Sequence, residues 1–238
     1  MFGRNIKMNT YINFLSLMPP PAEDTARIEA ILSECGKIIE YQPREVIANL
    51  QEDFTHIYFI KSGRTSHVIS DENNEKLLYQ LTPGWIFGSM CPGSLPEDNI
   101  TVYAQERTVV CRVPHKDYLS LLMSDPEFSS YCLTLLGRLH SYLASEIGNL
   151  SFNSCKTRLM RIYCAQVDER KLSDDGKWYC LDGKLTHSEL ATTVGSARVT
   201  ISKLINELCD DGFLRLINRR AQVNISAYHR FLSKMNGD

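Results

Sequence analysis

The spacing of apolar residues along the chain changes character twice. Residues 1–18 are rich in apolar side chains and close on Pro19-Pro20-Pro21, a break that no helix crosses easily. Apolar positions then recur at helical intervals from Ala22 to Cys35, and Gly36 ends that pattern. From Lys37 to about Pro114 the period shortens. The runs REVIANL, HIYFIKSGRTSHVIS, EKLLYQL, PGWIFGSM, ITVYA and TVVCRV are separated by Gly63, by Asp71-Glu72-Asn73-Asn74, by Pro83-Gly84 and by Pro92-Gly93. That punctuation predicts short antiparallel strands, alternating as in Ile57-Tyr58-Phe59-Ile60, and a β-roll or jelly roll is the economical way to close them.

After Pro114 the helical period returns, first over Lys116–Met123 and then from Pro126 to Leu150 or beyond, with Asp125 as cap and Pro126 in the first turn. Along this long helix Leu133, Leu136, His140, Leu143, Ile147 and Leu150 alternate steps of three and four. Such a heptad seam serves a two-stranded coil between two copies, or packing of one amphipathic helix on its own β-domain, and both can hold at once. His140 either sets register in that seam or stays partly exposed. Phe152-Asn153-Ser154 reads as a hinge, and a further helix starts near Ser154.

The final third carries the richest local signals. Lys177–Leu181 predicts a strand after the loop SDDG. Thr186-His187-Ser188-Glu189 is a capping box, Gly195 permits a sharp turn, and Ser196 can cap a second helix. In that second helix Ile201, Leu204, Ile205 and Leu208 must face inward, which turns Val199, Lys203 and Asn206 outward with Arg198 on the flank. FLRLI and AQVNI, joined through Asn218-Arg219-Arg220, predict a hairpin, and a short helix from Ser226 to about Met235 ends the pattern. A helix–turn–helix followed by a basic hairpin suits DNA, whereas the plainer reading is a helical hairpin with a solvated polar face.

Composition sharpens this picture. The 238 residues suffice for one large or two ordinary domains, and 43% hydrophobic with 23% charged residues is ordinary for a soluble globular protein. No apolar run approaches the ~20 residues that span a bilayer, and no signal pattern opens the chain, so a cytoplasmic protein with reduced cysteines is expected. The net charge of −2 is unevenly spread: residues 1–150 hold 12 Lys+Arg against 18 Asp+Glu, and residues 151–238 hold 14 against 10. The half with the candidate reader is the basic one, the sign that phosphate contact requires. The eight cysteines contain no C-x-x-C pair, and no metal or cofactor is expected. No nucleophile elbow, P-loop or G-x-G-x-x-G fingerprint appears, so no enzyme is expected either.

Taken in order, the β-roll with Gly63, Gly84 and Gly88, the segment SDPEF (124–128), the helix RLHSYLASEIGNLSF (138–152) and LTHSELATTVGSARVTISKLINEL together resemble the Crp/Fnr family of bacterial transcription regulators. The resemblance implies an α+β chain in three parts. An N-terminal β-roll, a cyclic-nucleotide-binding-like jelly roll, would sense a signal over 1–124. A dimerisation helix and hinge would span 125–152, and a winged helix–turn–helix 153–238. It further implies a homodimer on an inverted-repeat operator, with RNA polymerase as a partner. In that family an Arg-Glu pair and a later Arg touch bases; the matching positions are Arg198, Val199 and Lys203, leaving Ser196, Thr200, Ser202, Arg219 and Arg220 for phosphates. Val199 cannot accept a hydrogen bond from cytosine, and its methyls suit thymine, so the expected half-site holds a G next to a T.

Departures from the family pattern bear on the signal. Cyclic-nucleotide binders carry Gly-Glu, Arg-Ser and Thr-Ser anchors where this chain has Gly88-Ser89, Asp98-Asn99 and Leu143-Ala144. Losing the Arg alone removes a charge-assisted bond of ~1.5–3 kcal/mol, which argues against cyclic AMP. Cluster-holding relatives use closely spaced N-terminal cysteines, but here the first is Cys35. His56 and His67 read as structural strand residues rather than haem ligands. The stretches EKLLYQLTPGWIFGSMCP and NITVYAQERTVVC resemble the regulators of organohalide respiration, which bind chlorinated aromatic acids. That branch implies a small, largely apolar effector held by Gly88, Ser89, Met90, Asn99, Thr101 and Tyr142, with Lys76 or Arg138 for a carboxylate. The alternatives are a ligand-independent or thiol-redox-controlled regulator, with Cys91 as the thiol to watch, and a small-molecule-binding module without DNA activity.

Overall fold

The computed structural model describes Leu17 and residues 22–50, 55–71, 75–88, 90, 100–182, 185–218 and 220–236. The chain forms two compact units, one within Leu15–Ile147 and one from Gly148 to the C-terminus.

In the first unit, helix α1 (Ala22–Cys35) precedes eight strands: β1 (Lys37–Tyr41), β2 (Val46–Asn49), β3 (His56–Ser62), β4 (Thr65–Ser70), β5 (Glu75–Leu81), β6 (Ile86–Gly88), β7 (Ile100–Ala104) and β8 (Thr108–Pro114). They pair antiparallel in two four-stranded sheets, ordered β1-β8-β3-β6 and β2-β7-β4-β5, as a β-roll requires. The sequence pattern did not mark β1, whose KIIEY is mostly solvent-facing. β3 departs from the expected alternation: Ile57, Tyr58, Phe59 and Ile60 are all buried. A strand loses its two-fold pattern when both its faces are covered, and α1 and α2 (His115–Ser124) both pack on β3.

Two glycines are demanded by the backbone. Gly63 turns the β3–β4 hairpin at φ +84°, and a Cβ there would lie 2.5 Å from the Arg107 carbonyl oxygen. Gly88 ends β6 at φ +113°, with its would-be Cβ 2.8 Å from the His56 carbonyl oxygen.

Helix α3 (Pro126–Phe152) closes the unit. Asp125 caps it by accepting from the amides of Glu127 and Phe128, both at 3.0 Å. Its inner face buries Phe128, Tyr131, Cys132 and Leu135 in the β-roll core beside Ile57, Phe59, Trp85 and Val110. The Tyr131 hydroxyl donates to the Gly84 carbonyl, so the turn before β6 is tied to the helix.

In the second unit, α4 (Cys155–Ala165), β9 (Trp178–Cys180), α5 (His187–Val194), α6 (Arg198–Asp210), β10 (Leu214–Ile217), β11 (Arg220–Asn224) and α7 (Ile225–Asn236) surround Leu159, Leu190, Ile201, Ile205, Leu208, Phe213 and Val223. The antiparallel sheet β10-β11-β9 adds β9 to the expected hairpin. Among the described residues, no helix is long and apolar enough to cross a membrane.

One buried polar group in the first unit has an energetic consequence. His67 on β4 is fully buried, stacked on Tyr79 at 4.6 Å between ring centroids and meeting Phe87 edge-on at 5.0 Å. Burial pushes its pKa from 6.5 down to about 3. Below pH 6.5 the unfolded chain therefore binds a proton that the folded chain refuses, and stability falls as pH drops toward 3. His67→Phe keeps a ring in the stack and removes this linkage. Urea unfolding at pH 7 and pH 5 is expected to show a smaller acid loss in the variant, by up to about 1.4 kcal/mol per pH unit well below 6.5. Equal acid losses would mean that His67 titrates normally.

Candidate nucleic-acid interface

The turn between α5 and α6 is built locally. Thr186 accepts from the Glu189 amide at 3.2 Å while the Glu189 carboxylate accepts from the Thr186 amide at 2.7 Å, the reciprocal capping box. Gly195 ends α5 in the left-handed region at φ +71°, and the amides of Gly195 and Ser196 both donate to the Ala191 carbonyl. Arg158 on α4 donates to the carbonyls of Val194 and Asn153, anchoring the end of α5 to the start of α4.

The start of α6 corrects one expectation. Ala197, not Ser196, is the N-cap, and no side chain caps the helix. Its first amides are therefore left to an outside acceptor, and a phosphate oxygen is the acceptor that a helix N-terminus favours. Arg198, Val199 and Lys203 are exposed, Val199 at 67%, while Ile201, Ile205 and Leu208 are buried. Exposure of so large an apolar side chain has a direct use if its methyls meet a thymine methyl. Charge is graded along the helix. The first half carries Arg198 and Lys203, whereas Glu207, Asp210 and Asp211 cluster at the far end. Lys156 answers two of those acids, at 3.4 Å to Glu207 and 2.7 Å to Asp211. An anionic duplex would thus meet the N-terminal half of α6.

Ser202 is not the freely available hydroxyl that the sequence suggested. It donates to the Arg198 carbonyl at 3.1 Å and lies 2.8 Å from His187 Nδ1. The serine oxygen thereby clamps the first turn of α5 to α6. This clamp was invisible in the sequence, where His187 served only as filler inside the capping box. Thr200 is half-buried, Arg220 is exposed at the base of the wing, and Asn218 takes φ +50° in the wing turn; Arg219 lies outside the described residues.

The proposed effector residues are only partly described. Ser89, Asn99 and Cys91 lie outside the described residues. Gly88 has the backbone role given above, Met90 packs half-buried on the core, and Thr101 sits half-buried on β7. Tyr142 donates to the Leu78 carbonyl at 3.0 Å and meets Tyr79 edge-on. Lys76 is paired with Glu146 at 3.3 Å. His56 Nδ1 lies 2.9 Å from the Arg112 guanidinium and 2.7 Å from the Thr55 hydroxyl. Two thiols converge on one acceptor: Cys35 and Cys111 both donate to the Leu32 carbonyl, at 3.6 and 3.2 Å, and burial pushes both thiols up. Thiols held protonated are slow to oxidise.

Comparison with known proteins adds to this geometry. Residues 38–125 match the model of the cyclic nucleotide-binding domain, and residues 157–231 match that of the Crp-like helix-turn-helix domain. The chain belongs to the Crp/Fnr family of DNA-binding transcription regulators. The cAMP-activated global transcriptional regulator CRP of Haemophilus influenzae is 24% identical over 195 residues, covering 79% of this chain and 83% of that protein. A CooA mutant from Carboxydothermus hydrogenoformans superposes with a TM-score of 0.68 at 20% identity, over 92% of this chain and 99% of that one. CprK complexed with OCPA gives 0.63 at 17% identity, over 88% and 95%. At such identities the structural likeness is one of fold.

Within a Crp/Fnr regulator the two kinds of polar residue on this surface separate experimentally. Ser202→Ala removes the clamp, so urea unfolding should show a loss of about 1 kcal/mol while the salt slope of DNA binding is unchanged. Arg220→Ala should leave stability unchanged and lower that slope by about one ion. A reduced slope in Ser202→Ala would return Ser202 to phosphate contact.

Proposed function

We propose that this Crp/Fnr regulator works as a homodimer on an inverted-repeat operator, switched by a small aromatic or apolar organic effector rather than by cyclic AMP. The supporting observation is the outer face of α3. While its inner face fills the β-roll core, Leu133 is 68%, Ile147 64% and Leu150 41% exposed, with Leu136 and Leu143 half-buried between them. An apolar stripe of heptad spacing on a 27-residue helix suits a matching helix in a second copy. Gly137 and Ala144 flank the stripe and permit close approach, and His140 is exposed within it. Division into a sensing domain (1–124), a helix with hinge (125–152) and a DNA-binding domain (153–238) follows from the same reading, as do a cytoplasmic location and contact with RNA polymerase.

Two features favour an aromatic effector. Gly88-Ser89, Asp98-Asn99 and Leu143-Ala144 lack the anchors that a cyclic nucleotide needs. The rings of Phe87, His67, Tyr79 and Tyr142 form one chain of contacts from β6 to α3, an apolar wall with few polar groups. The β5 segment Glu75–Tyr79 resembles the organohalide-respiration branch, and CprK, an organohalide regulator, was solved with OCPA bound. A chlorinated aromatic acid is the class that fits both.

DNA selected from a random pool by the purified protein supplies the probe. The selected half-sites are expected to hold a G beside a T, and Val199→Glu should shift that preference; an unchanged preference would remove Val199 from base reading. In thermal-shift and DNA-anisotropy assays a chlorinated phenylacetate should raise both the melting temperature and the DNA affinity, and cyclic AMP neither. A response to cyclic AMP alone would overturn the effector reading, and a response to peroxide alone would favour redox control. Ile147→Glu should sediment as a monomer.

A further inference from the structure

The most outward positions of α6 are set by its buried face. Ile201, Ile205 and Leu208 lie inside, and at about 100° per residue the opposite side carries Val199, Lys203, Asn206 and Asp210. In order, the row is an apolar group, a cation, an amide and an anion, and all four are exposed. Val199 and Lys203 belong to the base-reading set proposed above; Asn206 has no role in it.

Asn206 differs from the polar side chains around it. Ser202 is engaged by the Arg198 carbonyl and His187, and Glu207 by Lys156. The Asn206 amide has no hydrogen-bond partner among the described residues. Asparagine is also a poorer helix former than the lysine, glutamate or glutamine that suits a solvated face, so helix stability gives no reason for it here.

Charge decides how far a duplex can follow the helix. Asn206 lies just past the middle of α6, and the carboxylates of Glu207, Asp210 and Asp211 come after it. Uncompensated, they would repel the phosphates that border the groove. Glu207 and Asp211 wind to one flank, where Lys156 of α4 answers both, at 3.4 and 2.7 Å. Asp210 stays on the outward row, one turn beyond Asn206, and marks where the groove parts from the helix. Asn206 is thus the last position of the row that an anionic groove tolerates.

We infer that Asn206 reads an adenine in each half-site. Its amide offers a donor and an acceptor side by side, which matches adenine N7 and N6 in the major groove, and no other base edge satisfies both bonds. This rests on the placement of α6 against the bases proposed above and adds one specified base to the half-site. The helix advances about 4.5 Å from Lys203 to Asn206, against about 3.4 Å per base step. The adenine therefore lies one or two base pairs beyond the pair met by Lys203, on the side away from Val199.

The test uses the full-length protein and repeats the random-pool selection with wild type, Asn206→Ala and Asn206→Arg. Wild type should enrich one adenine per half-site that Asn206→Ala no longer enriches, with the rest of the motif unchanged. On a probe with that base pair replaced in both half-sites, wild-type affinity should fall about tenfold or more in anisotropy, whereas Asn206→Ala should bind both probes equally. Asn206→Arg should enrich guanine at the same place, because its fork pairs with two acceptors. Both variants should melt with wild type, since the side chain is exposed. Identical motifs from wild type and Asn206→Ala would overturn the assignment. So would equal weakening of Asn206→Ala on every sequence, which marks a phosphate contact. If the half-sites lack a G beside a T, the reading of Arg198, Val199 and Lys203 falls, and Asn206 is still decided by wild type against Asn206→Ala.

Discussion

The constraint on which the rest depends is that α3 must be apolar on two sides at once. Its inner row of Phe128, Tyr131, Cys132 and Leu135 completes the core of the β-roll, and its outer row of Leu133, Ile147 and Leu150 is exposed. A helix facing one core needs a single stripe; this one carries two, with Tyr142, Leu143 and Glu146 on the boundary between them. Any shift of the inner row also moves the outer row, since both are set by one backbone.

The same helix crosses from one compact unit to the other, and the boundary falls at Gly148. Glycine is a weak helix former, and a Cβ at this position would meet nothing within 4 Å. Packing does not demand the glycine, so its contribution there is local backbone freedom. Just beyond it, within the second unit, Asn149 is buried and accepts from Arg161 and Asn153.

How much of this was legible depends on the range of the interaction. Periodicity exposed α3 and α6 because each repeats a choice of residue type over ten or more positions, while a capping box marked α5 and strand-like runs around a turn marked the wing. It exposed the outward Arg198, Val199 and Lys203 because Ile201, Ile205 and Leu208 fix the opposite face. It did not mark β1, where KIIEY is mostly solvent-facing, and it expected alternation in β3 because coverage of a strand by helices leaves no local trace. The cap of α6 was misplaced by one residue, since Ser196 is a favoured cap type but its backbone is already engaged in closing α5. Pairs joined only by the fold, His187 with Ser202 across 15 positions and Lys76 with Glu146 across 70, could not be read from spacing at all.

These long-range pairs separate the two halves of the molecule in kind. In the DNA-facing half, Ser202 is engaged by His187 and Arg198, and Glu207 and Asp211 by Lys156. The first turn of α6 has amides without a side-chain cap and cations nearby. In the β-roll unit two buried polar features bear on stability. His67 Nδ1 is buried with no hydrogen-bond partner among the described residues, and a dehydrated ion pair sits between an edge strand and the helix. Unfavourable burial of polar groups is tolerated where something is meant to change, because a site at its energetic minimum has nothing to gain from a ligand.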